Sequence, residues 1–392
     1  MSLDRETLRF LAAMGDDIGI LSIYVTVRPR GEPTPRPAWE LRLRGELEKL
    51  RAWADEHLSK RDAAAVHRRL DALRPQLDQL VDPAAPGQGR ALFAAVAGQQ
   101  VRTVSLQVPM VDAASFGARP QLRPLLAAWG EAGPAGAVSV SAEELRIVDL
   151  RFGLAEDVQT LAYEPDLDHK QLKGPSPAQP GMAQPGVSHR DLFARKEGDR
   201  LARWLRGHGP RLAQLAVERG WDHLALTGEP SLVQAVVDGL PPALPAEVLT
   251  LDHPVAALST ARLAATVAPA LEEARQRQRL RLAERVRGAA LGSDGGAYGL
   301  GETLQALQQG RVAHLLVVGD GQWHGRRAPD GTLVPDGEVP PGVDERALLP
   351  EPHLGDRMVE LAFQSSADVT VLDPVAGGLL AEADGIGALL RW

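Results

Sequence analysis

The sequence of 392 residues predicts a mixed α/β (α+β) fold divided into three domains. Short β-branched apolar runs alternate along it with stretches whose apolar residues recur every three or four positions, which indicates strands alternating with helices. The length also exceeds one domain of about 100–200 residues. Glycine-rich junctions near 130 and 295 place the domains at residues 1–132, 133–291 and 292–392.

The N-terminal domain is predicted to hold a buried strand, because Ile18–Val27 is a β-branched apolar run that ends at a proline-rich stretch. Helical spacing of Trp39, Leu43, Leu47 and Leu50 follows. The remaining elements predicted here are a helix over Lys60–Leu80 and a strand over Val101–Val108.

The central domain is predicted to begin with a hairpin around the turn Ser141–Glu144. Residues 166–188 lack hydrophobic periodicity and are rich in proline and glycine, which is typical of a functional or disordered loop. A helix follows, with a break expected at Gly207–Pro210. The predicted strands are Ala137–Val140, Leu145–Leu150, Val158–Tyr163, Asp222–Thr227 and Glu247–Leu251, and the helices are Asp191–Arg219, Pro230–Gly239 and Ser259–Arg287.

The C-terminal domain is again predicted to be α/β. No element is predicted over residues 320–350, which are rich in Gly, Pro and Asp. The predicted helices are Leu300–Gln309 and Glu351–Gln364, and the strands are Val312–Val318, Val369–Leu372 and Ile386–Leu390.

Composition excludes several kinds of chemistry. The chain has no cysteine, which excludes disulfides, thiolate metal sites and a cysteine nucleophile. It carries no H-E-x-x-H, P-loop or G-x-S-x-G motif, so no metal and no cofactor are expected. It also lacks an apolar run of about 18 residues and a signal-peptide pattern, so a cytoplasmic protein is expected.

The net charge of −8 is unevenly distributed. Residues 292–392 hold 6 Lys and Arg against 15 Asp and Glu, which gives −9 and leaves +1 for the rest of the chain. Arg275–Arg287 contains six arginines, and His189–Arg219 has 8 basic and 4 acidic residues. This asymmetry indicates two kinds of partner.

The helix after the proline-rich loop is the candidate nucleic-acid surface. At about 100° per residue Leu201 and Leu205 fall on one side of this helix, and the other side carries Arg195, Lys196, Arg200, Arg203 and Arg206. Arginine and lysine on one helix face bind RNA phosphates locally, whatever the net charge of the whole chain. The alternative is an ordinary solvated helix face. The candidate RNA-binding residues are Arg190, Arg195, Lys196, Arg200, Arg203 and Arg206.

The end of the chain resembles the archaeal and eukaryotic peptide release factors and Pelota, in Glu360–Ala362, Val369–Leu372 and Gly385–Trp392. Leu21–Val25 is similar to the opening strand of the bacterial homologues. Phe193–Arg195 is similar to the helix that follows the family's catalytic loop. The resemblance implies an RNase-H-like central domain and an α/β/α C-terminal domain of the release-factor type.

In release factors that loop carries Gly-Gly-Gln, whose glutamine helps to place the attacking water. Here the triplet falls on Gly186-Val187-Ser188, and a shift of one residue puts His189 in place of glutamine. Gly181-Met182-Ala183-Gln184 fits the Gly-x-x-Gln spacing of Vms1-type peptidyl-tRNA hydrolases. Pro185 directly after it restricts Gln184 to extended conformations.

The resemblance therefore implies a ribosome-binding translation factor that occupies the A site without catalysis, like hibernation factors of the Balon type, or that acts in rescue. The alternative is a peptidyl-tRNA hydrolase acting through Gly181 and Gln184. A third alternative is a soluble α/β protein that has lost this role. Implied partners are ribosomal RNA, tRNA and, through the acidic C-terminal domain, a translational GTPase such as elongation factor Tu. The loop residues expected at the peptidyl-transferase centre are Gly181, Gln184, Gly186, Ser188 and His189.

Overall fold

A computed structural model describes residues 3–28, 37–164, 189–252, 259–292 and 295–392, without the side chains of 189–194. The chain forms two compact units. One combines its two ends, Met1–Ala132 and Arg275–Trp392, and the other is Gly133–Ala274. The division into domains 1–132, 133–291 and 292–392 stays a prediction. The mixed α/β class is confirmed by four sheets accompanied by helices.

The N-terminal part is built around a four-stranded antiparallel sheet in the order β3-β2-β1-β4. Every residue of β1 is buried, as its apolar run predicts. Helices pack on the sheet through Leu43, Leu50, Val66 and Leu70. The elements are α1 (Arg5–Ala13), β1 (Ile20–Thr26), α2 (Ala38–His57), α3 (Lys60–Ala72), α4 (Arg74–Val81), β2 (Gly89–Ala95), β3 (Val101–Leu106), β4 (Ala113–Gly117) and α5 (Arg123–Ala132).

The single helix predicted over Lys60–Leu80 is wrong, because two helices meet at Leu73. Pro75 lies in the first turn of α4, where its missing N–H costs nothing. Inside a continuous helix the same proline would remove a hydrogen bond and clash with the carbonyl four residues earlier. The chain therefore stops one helix and starts the next.

The central unit is a five-stranded sheet in the order β7-β6-β5-β8-β9. Neighbours β7, β6 and β5 pair antiparallel, whereas β5, β8 and β9 run parallel. This order agrees with the RNase-H-like fold that the resemblance implies. The elements are β5 (Ala135–Val140), β6 (Glu144–Arg151), β7 (Leu154–Ala162), α6 (His189–Gly207), α7 (Gly209–Arg219), β8 (His223–Gly228), α8 (Pro230–Val237), β9 (Glu247–Asp252) and α9 (Thr260–Leu291).

The sheet is covered on both faces. Leu205, Leu212 and Val236, from α6, α7 and α8, pack with one set of strand residues. Leu263 and Val267, from the first half of α9, pack with the other set. The residues of α9 from Arg275 onward belong to the other compact unit.

An ion pair joins the edge of this sheet to the start of α9. Arg146 Nε donates to Asp157 at 2.7 Å, and the Thr260 hydroxyl donates to the same carboxylate at 2.6 Å. The hydrogen bond from Arg146, followed by that from Thr260, lowers the pKa of Asp157. A carboxylate with a lowered folded-state pKa stabilises the fold above its unfolded pKa of about 3.9 and loses this effect as the pH falls.

We expect Asp157→Asn to destabilise the protein at about pH 7 and to have a smaller effect in acid, because the wild-type carboxylate loses the same charge as the pH falls through its lowered pKa. Urea unfolding of both proteins at neutral and acidic pH measures this. A stability difference that persists undiminished in acid would contradict the assignment.

The C-terminal part has a four-stranded sheet in the order β10-β16-β11-β15, in which β11 and β15 are parallel. Residues 320–350, for which the sequence predicts no element, contribute to a small antiparallel sheet in the order β13-β12-β14. The elements are β10 (Gly296–Tyr298), α10 (Leu300–Gln308), β11 (Val312–Val318), β12 (Gly325–Arg327), β13 (Leu333–Pro335), β14 (Leu349–Glu351), α11 (Leu354–Gln364), β15 (Asp368–Leu372), α12 (Pro374–Gly377) and β16 (Ile386–Leu390).

Ion pairs join the N-terminal and C-terminal parts of their common unit. Arg123 Nε donates to Asp356 at 2.8 Å. Arg119 lies 3.2 Å from Glu360, whose side chain is only 5% exposed. Two carboxylates of the acidic segment, those of Asp356 and Glu360, are thus paired with arginines of the N-terminal part. The segment's net charge of −9 overstates what it presents to a partner.

Among the described residues no helix is both long and apolar enough to cross a membrane.

Candidate nucleic-acid interface

Helix α6 is fixed to the sheet by its apolar side. Leu201 and Leu205 are buried, and they pack with Leu212 and Leu215 of α7 against the strands of the central unit. Since this side of the helix is held by the core, its other side faces outward. The sequence predicts this orientation from the spacing of the leucines.

The outward side of α6 carries the predicted basic residues. Arg195, Lys196, Arg203 and Arg206 are exposed, and Arg200 is half-buried. At about 100° per residue the five cations occupy about 140° of the helix circumference. Asp199, also exposed, is the acidic residue in this sector. We call these five cations the α6 basic face, whose local net charge with Asp199 is +4.

The charges of this face are largely uncompensated. Arg200 lies 3.8 Å from the carboxylate of Glu197. Within the described parts of the chain, Arg195, Lys196, Arg203 and Arg206 take part in no ion pair or hydrogen bond through their side chains. Four exposed cations without internal partners can therefore meet phosphates without first breaking a contact.

The end of α6 is fixed by two glycines that allow close backbone approach. The predicted break is confirmed, because α6 ends at Gly207 and α7 starts at Gly209, with Pro210 in its first turn. A Cβ atom added to Gly209 would overlap the backbone of Gly239, and one added to Gly239 would overlap the backbone of Arg206. These close backbone contacts fix the position of the end of α6, where Arg206 is the last residue of the α6 basic face.

We expect Gly209→Ala to destabilise the central unit by about 1–3 kcal/mol, because the methyl group must push two backbones apart. Gly198→Ala is the matched control within α6. A Cβ at Gly198 meets nothing within 4 Å, so alanine there should stabilise the helix by about 1 kcal/mol through its propensity. Urea unfolding of the two variants measures both effects. If the two substitutions changed the free energy of unfolding equally, the close approach of Gly209 to the backbone of Gly239 would be contradicted.

Aromatic residues that sequence reasoning missed lie beside the basic face. The Tyr163 hydroxyl donates to Glu197 at 2.8 Å, and its ring centroid lies 5.4 Å from that of Trp204. Trp204 in turn meets the ring of His208 edge-to-face at 4.6 Å. Burial lowers the pKa of His208, which favours its neutral form. The available signal was the four-residue spacing of Trp204 and His208, which brings two side chains together in helical or near-helical backbone.

The predicted loop residues Gly181, Gln184, Gly186 and Ser188 lie outside the described residues. His189 and Arg190 are the first residues of α6, but their side chains are also outside the described set. The roles assigned to these residues stay predictions. Among the described residues no group of three or more His, Asp or Glu side chains could hold a metal ion.

The segment of the chain around this interface is similar to a known family. Residues 120–275, which contain α6 and the whole central sheet, match the family model of bacterial archaeo-eukaryotic release factor family 10. The resemblance to the release-factor family is confirmed. The match covers the predicted loop and basic helix of this release-factor-like chain, together with the hairpin before them.

Solved structures of release factors and Pelota proteins are also similar. Archaeal translation termination factor aRF1 has 17% identity, with 100% of this chain and 99% of that chain covered, at a TM-score of 0.25. Archaeoglobus fulgidus Pelota has 14% identity over 77% and 79% of the two chains, at a TM-score of 0.32. Ribosome-bound archaeal Pelota, in a model with ABCE1, has 11% identity over 99% and 93%, at a TM-score of 0.40. No curated protein matches the sequence.

Proposed function

We propose that this chain is a ribosome-binding translation factor that occupies the A site and does not hydrolyse peptidyl-tRNA. The observation that carries the proposal is the α6 basic face, with four exposed and internally unpaired cations in the segment that matches the release-factor family. Such a face binds RNA phosphates with an affinity that falls steeply with salt. In this proposal it faces ribosomal RNA near the peptidyl-transferase centre, and tRNA is a further contact.

The acidic C-terminal part is assigned a protein partner, because its exposed carboxylates repel the phosphates of RNA. Asp320, Asp344 and Glu382 are among its exposed carboxylates. The proposed partner is a translational GTPase such as elongation factor Tu, and the N-terminal part is directed toward the decoding region. Hibernation and rescue are the two tasks that this arrangement serves.

The absence of catalysis is proposed from the loop sequence. Gly186-Val187-Ser188 stands where release factors have Gly-Gly-Gln, so the glutamine that places the water is missing in register. The alternative is a peptidyl-tRNA hydrolase that uses Gln184 with Gly181, which the Gly-x-x-Gln spacing favours.

Ribosome co-sedimentation and peptidyl-tRNA hydrolysis, measured on one preparation of the full chain, test these functions. Binding at low salt that is lost at high salt, without release of nascent chains, is the expected result. The absence of binding at low salt would overturn the proposal. Release of nascent chains would favour the hydrolase.

Glutamine variants separate the two functions further. If the wild type releases nascent chains and Gln184 places the attacking water, Gln184→Ala should abolish this release. Gln179→Ala is the matched control, because Gln179 also precedes a proline but has Ser176, not glycine, three residues before it. Release that survives Gln184→Ala would exclude the Gly-x-x-Gln mechanism.

A further inference from the structure

The aromatic side chains beside the α6 basic face form a continuous row. Tyr163 is the residue that follows β7, and Trp204 and His208 lie on α6 and directly after it. Ring centroids along the row are 5.4 Å and 4.6 Å apart. All three side chains are half-buried, and those of Tyr163 and Trp204 pack against the core of the central unit.

Trp204 is the centre of this row, and only part of its side chain takes part in contacts within the protein. Its body packs against the apolar core of the central unit. The indole N–H groups of Trp39, Trp221 and Trp323 donate to oxygen acceptors within the protein. Within the described residues the indole N–H of Trp204 has no such acceptor, and it is not among the buried unsatisfied groups. The indole edge is therefore available to a ligand from solvent.

The row of aromatic side chains lies at one border of the α6 basic face. On the helical wheel Trp204 lies about 40° from Arg200, at the border of the basic face. The hydroxyl of Tyr163 is held by Glu197, which also lies 3.8 Å from Arg200. Glu197 thereby holds the first ring of the row and the nearest cation of the face together. His208, whose lowered pKa favours the neutral form, adds no charge.

Cations combined with neighbouring aromatic rings are the side chains that bind single-stranded nucleic acid. The cations follow the phosphates, and unstacked bases lie on the rings. A fully paired helix offers phosphates but no free base faces to such a ring.

We propose that Trp204, held between Tyr163 and His208, is a stacking platform for an unpaired base of RNA whose phosphates lie on the α6 basic face. Trp204 provides the main stacking surface, and Glu197 is a positioning residue. This inference rests on the proposed function, which it deepens by naming single-stranded RNA as the form recognised.

The test uses the full chain with two probes, a 12-nucleotide oligoadenylate and a 12-base-pair RNA duplex, in fluorescence anisotropy. Stacking of one base contributes about 1–3 kcal/mol, so Trp204→Leu should weaken oligoadenylate binding at least about fivefold. The dependence of this affinity on salt should stay as in the wild type, because no phosphate contact is lost. Duplex binding should not change.

Trp204→Phe gives a second readout that does not depend on the folding of the leucine variant. Oligoadenylate should quench the tryptophan fluorescence of the wild type. Trp204→Phe keeps an aromatic ring and most of the affinity for oligoadenylate. The part of the quenching that is due to Trp204 should be absent in this variant. Three results would overturn the stacking platform. They are equal quenching in the wild type and Trp204→Phe, equal oligoadenylate affinity of the wild type and Trp204→Leu, and binding of the duplex but not of oligoadenylate. If one of these results is found and the wild type still binds the ribosome, the stacking platform is wrong but the proposed function stands.

Discussion

The combined substitutions Arg195→Gln, Lys196→Gln, Arg203→Gln and Arg206→Gln are expected to lower affinity for the ribosome by about two to three orders of magnitude near 0.1 M salt. The four side chains are exposed and have no internal ion pair among the described residues, so their removal costs the fold little. Each phosphate contact releases counterions, and four lost contacts should reduce the slope of log affinity against log salt by about three.

A control with the same change of charge separates a local contact from a long-range effect. Arg211→Gln, Arg262→Gln, Arg327→Gln and Arg346→Gln together also remove four positive charges from positions outside the α6 basic face. This control should keep nearly the wild-type slope. Co-sedimentation at several salt concentrations measures both variants. Equal loss in the two would show that only net charge matters, which contradicts a role for the face.

Asp149→Ala is expected to destabilise the central unit by about 2–4 kcal/mol, because it removes a buried carboxylate from its hydrogen bonds and leaves the buried indole N–H of Trp221 unsatisfied. Asp149 is 1% exposed. It accepts hydrogen bonds from the indole N–H of the buried Trp221 at 2.5 Å and from Arg151 at 2.5 and 2.8 Å. Arg219 lies 3.8 Å away. The substitution leaves Trp221 without this acceptor and the arginines without their shared carboxylate.

Urea unfolding and amide hydrogen exchange in β6 and β8 measure this loss. The matched control is Glu143→Ala, which removes an exposed carboxylate from the turn of the same hairpin and should change stability by less than about 0.5 kcal/mol. If Asp149→Ala were as mild as Glu143→Ala, the network would not contribute to the stability of this unit.

Much of the fold could be predicted, because long periodic runs specify their own structure. The β1 run and the leucines of α6 lie where their spacing places them. The hairpin of β5 and β6 follows from two apolar runs around Ser141–Glu144. By contrast, α1, β2 and α5 are built from alanine-rich or mixed sequence, in which tertiary burial decides the structure.

Long-range pairing could not be predicted from local patterns. Arg123 and Asp356 are 233 positions apart, and no periodicity relates them. The small sheet of β12, β13 and β14 has three-residue strands, which are too short to show a period of two. The joining of both chain ends in one unit depends on such contacts.

For the candidate site, the sequence predicts the basic face but not the aromatic row. The arginines share one helix, so the wheel relates them directly. Tyr163 and Glu197 are 34 positions apart, on either side of the predicted loop, and only the fold brings them within hydrogen-bond distance.

Site-directed hydroxyl-radical probing tests the central claim most directly, because the chain has no cysteine and a single one can be introduced for labelling. Gly198→Cys places an iron chelate on α6 in open space, and Asp344→Cys places one on the acidic C-terminal part. We expect the probe at 198, on ribosome-bound protein, to cleave ribosomal RNA around the peptidyl-transferase centre, and the probe at 344 to leave that region intact. Cleavage elsewhere from 198, or the same pattern from both probes, would contradict the placement of the α6 basic face.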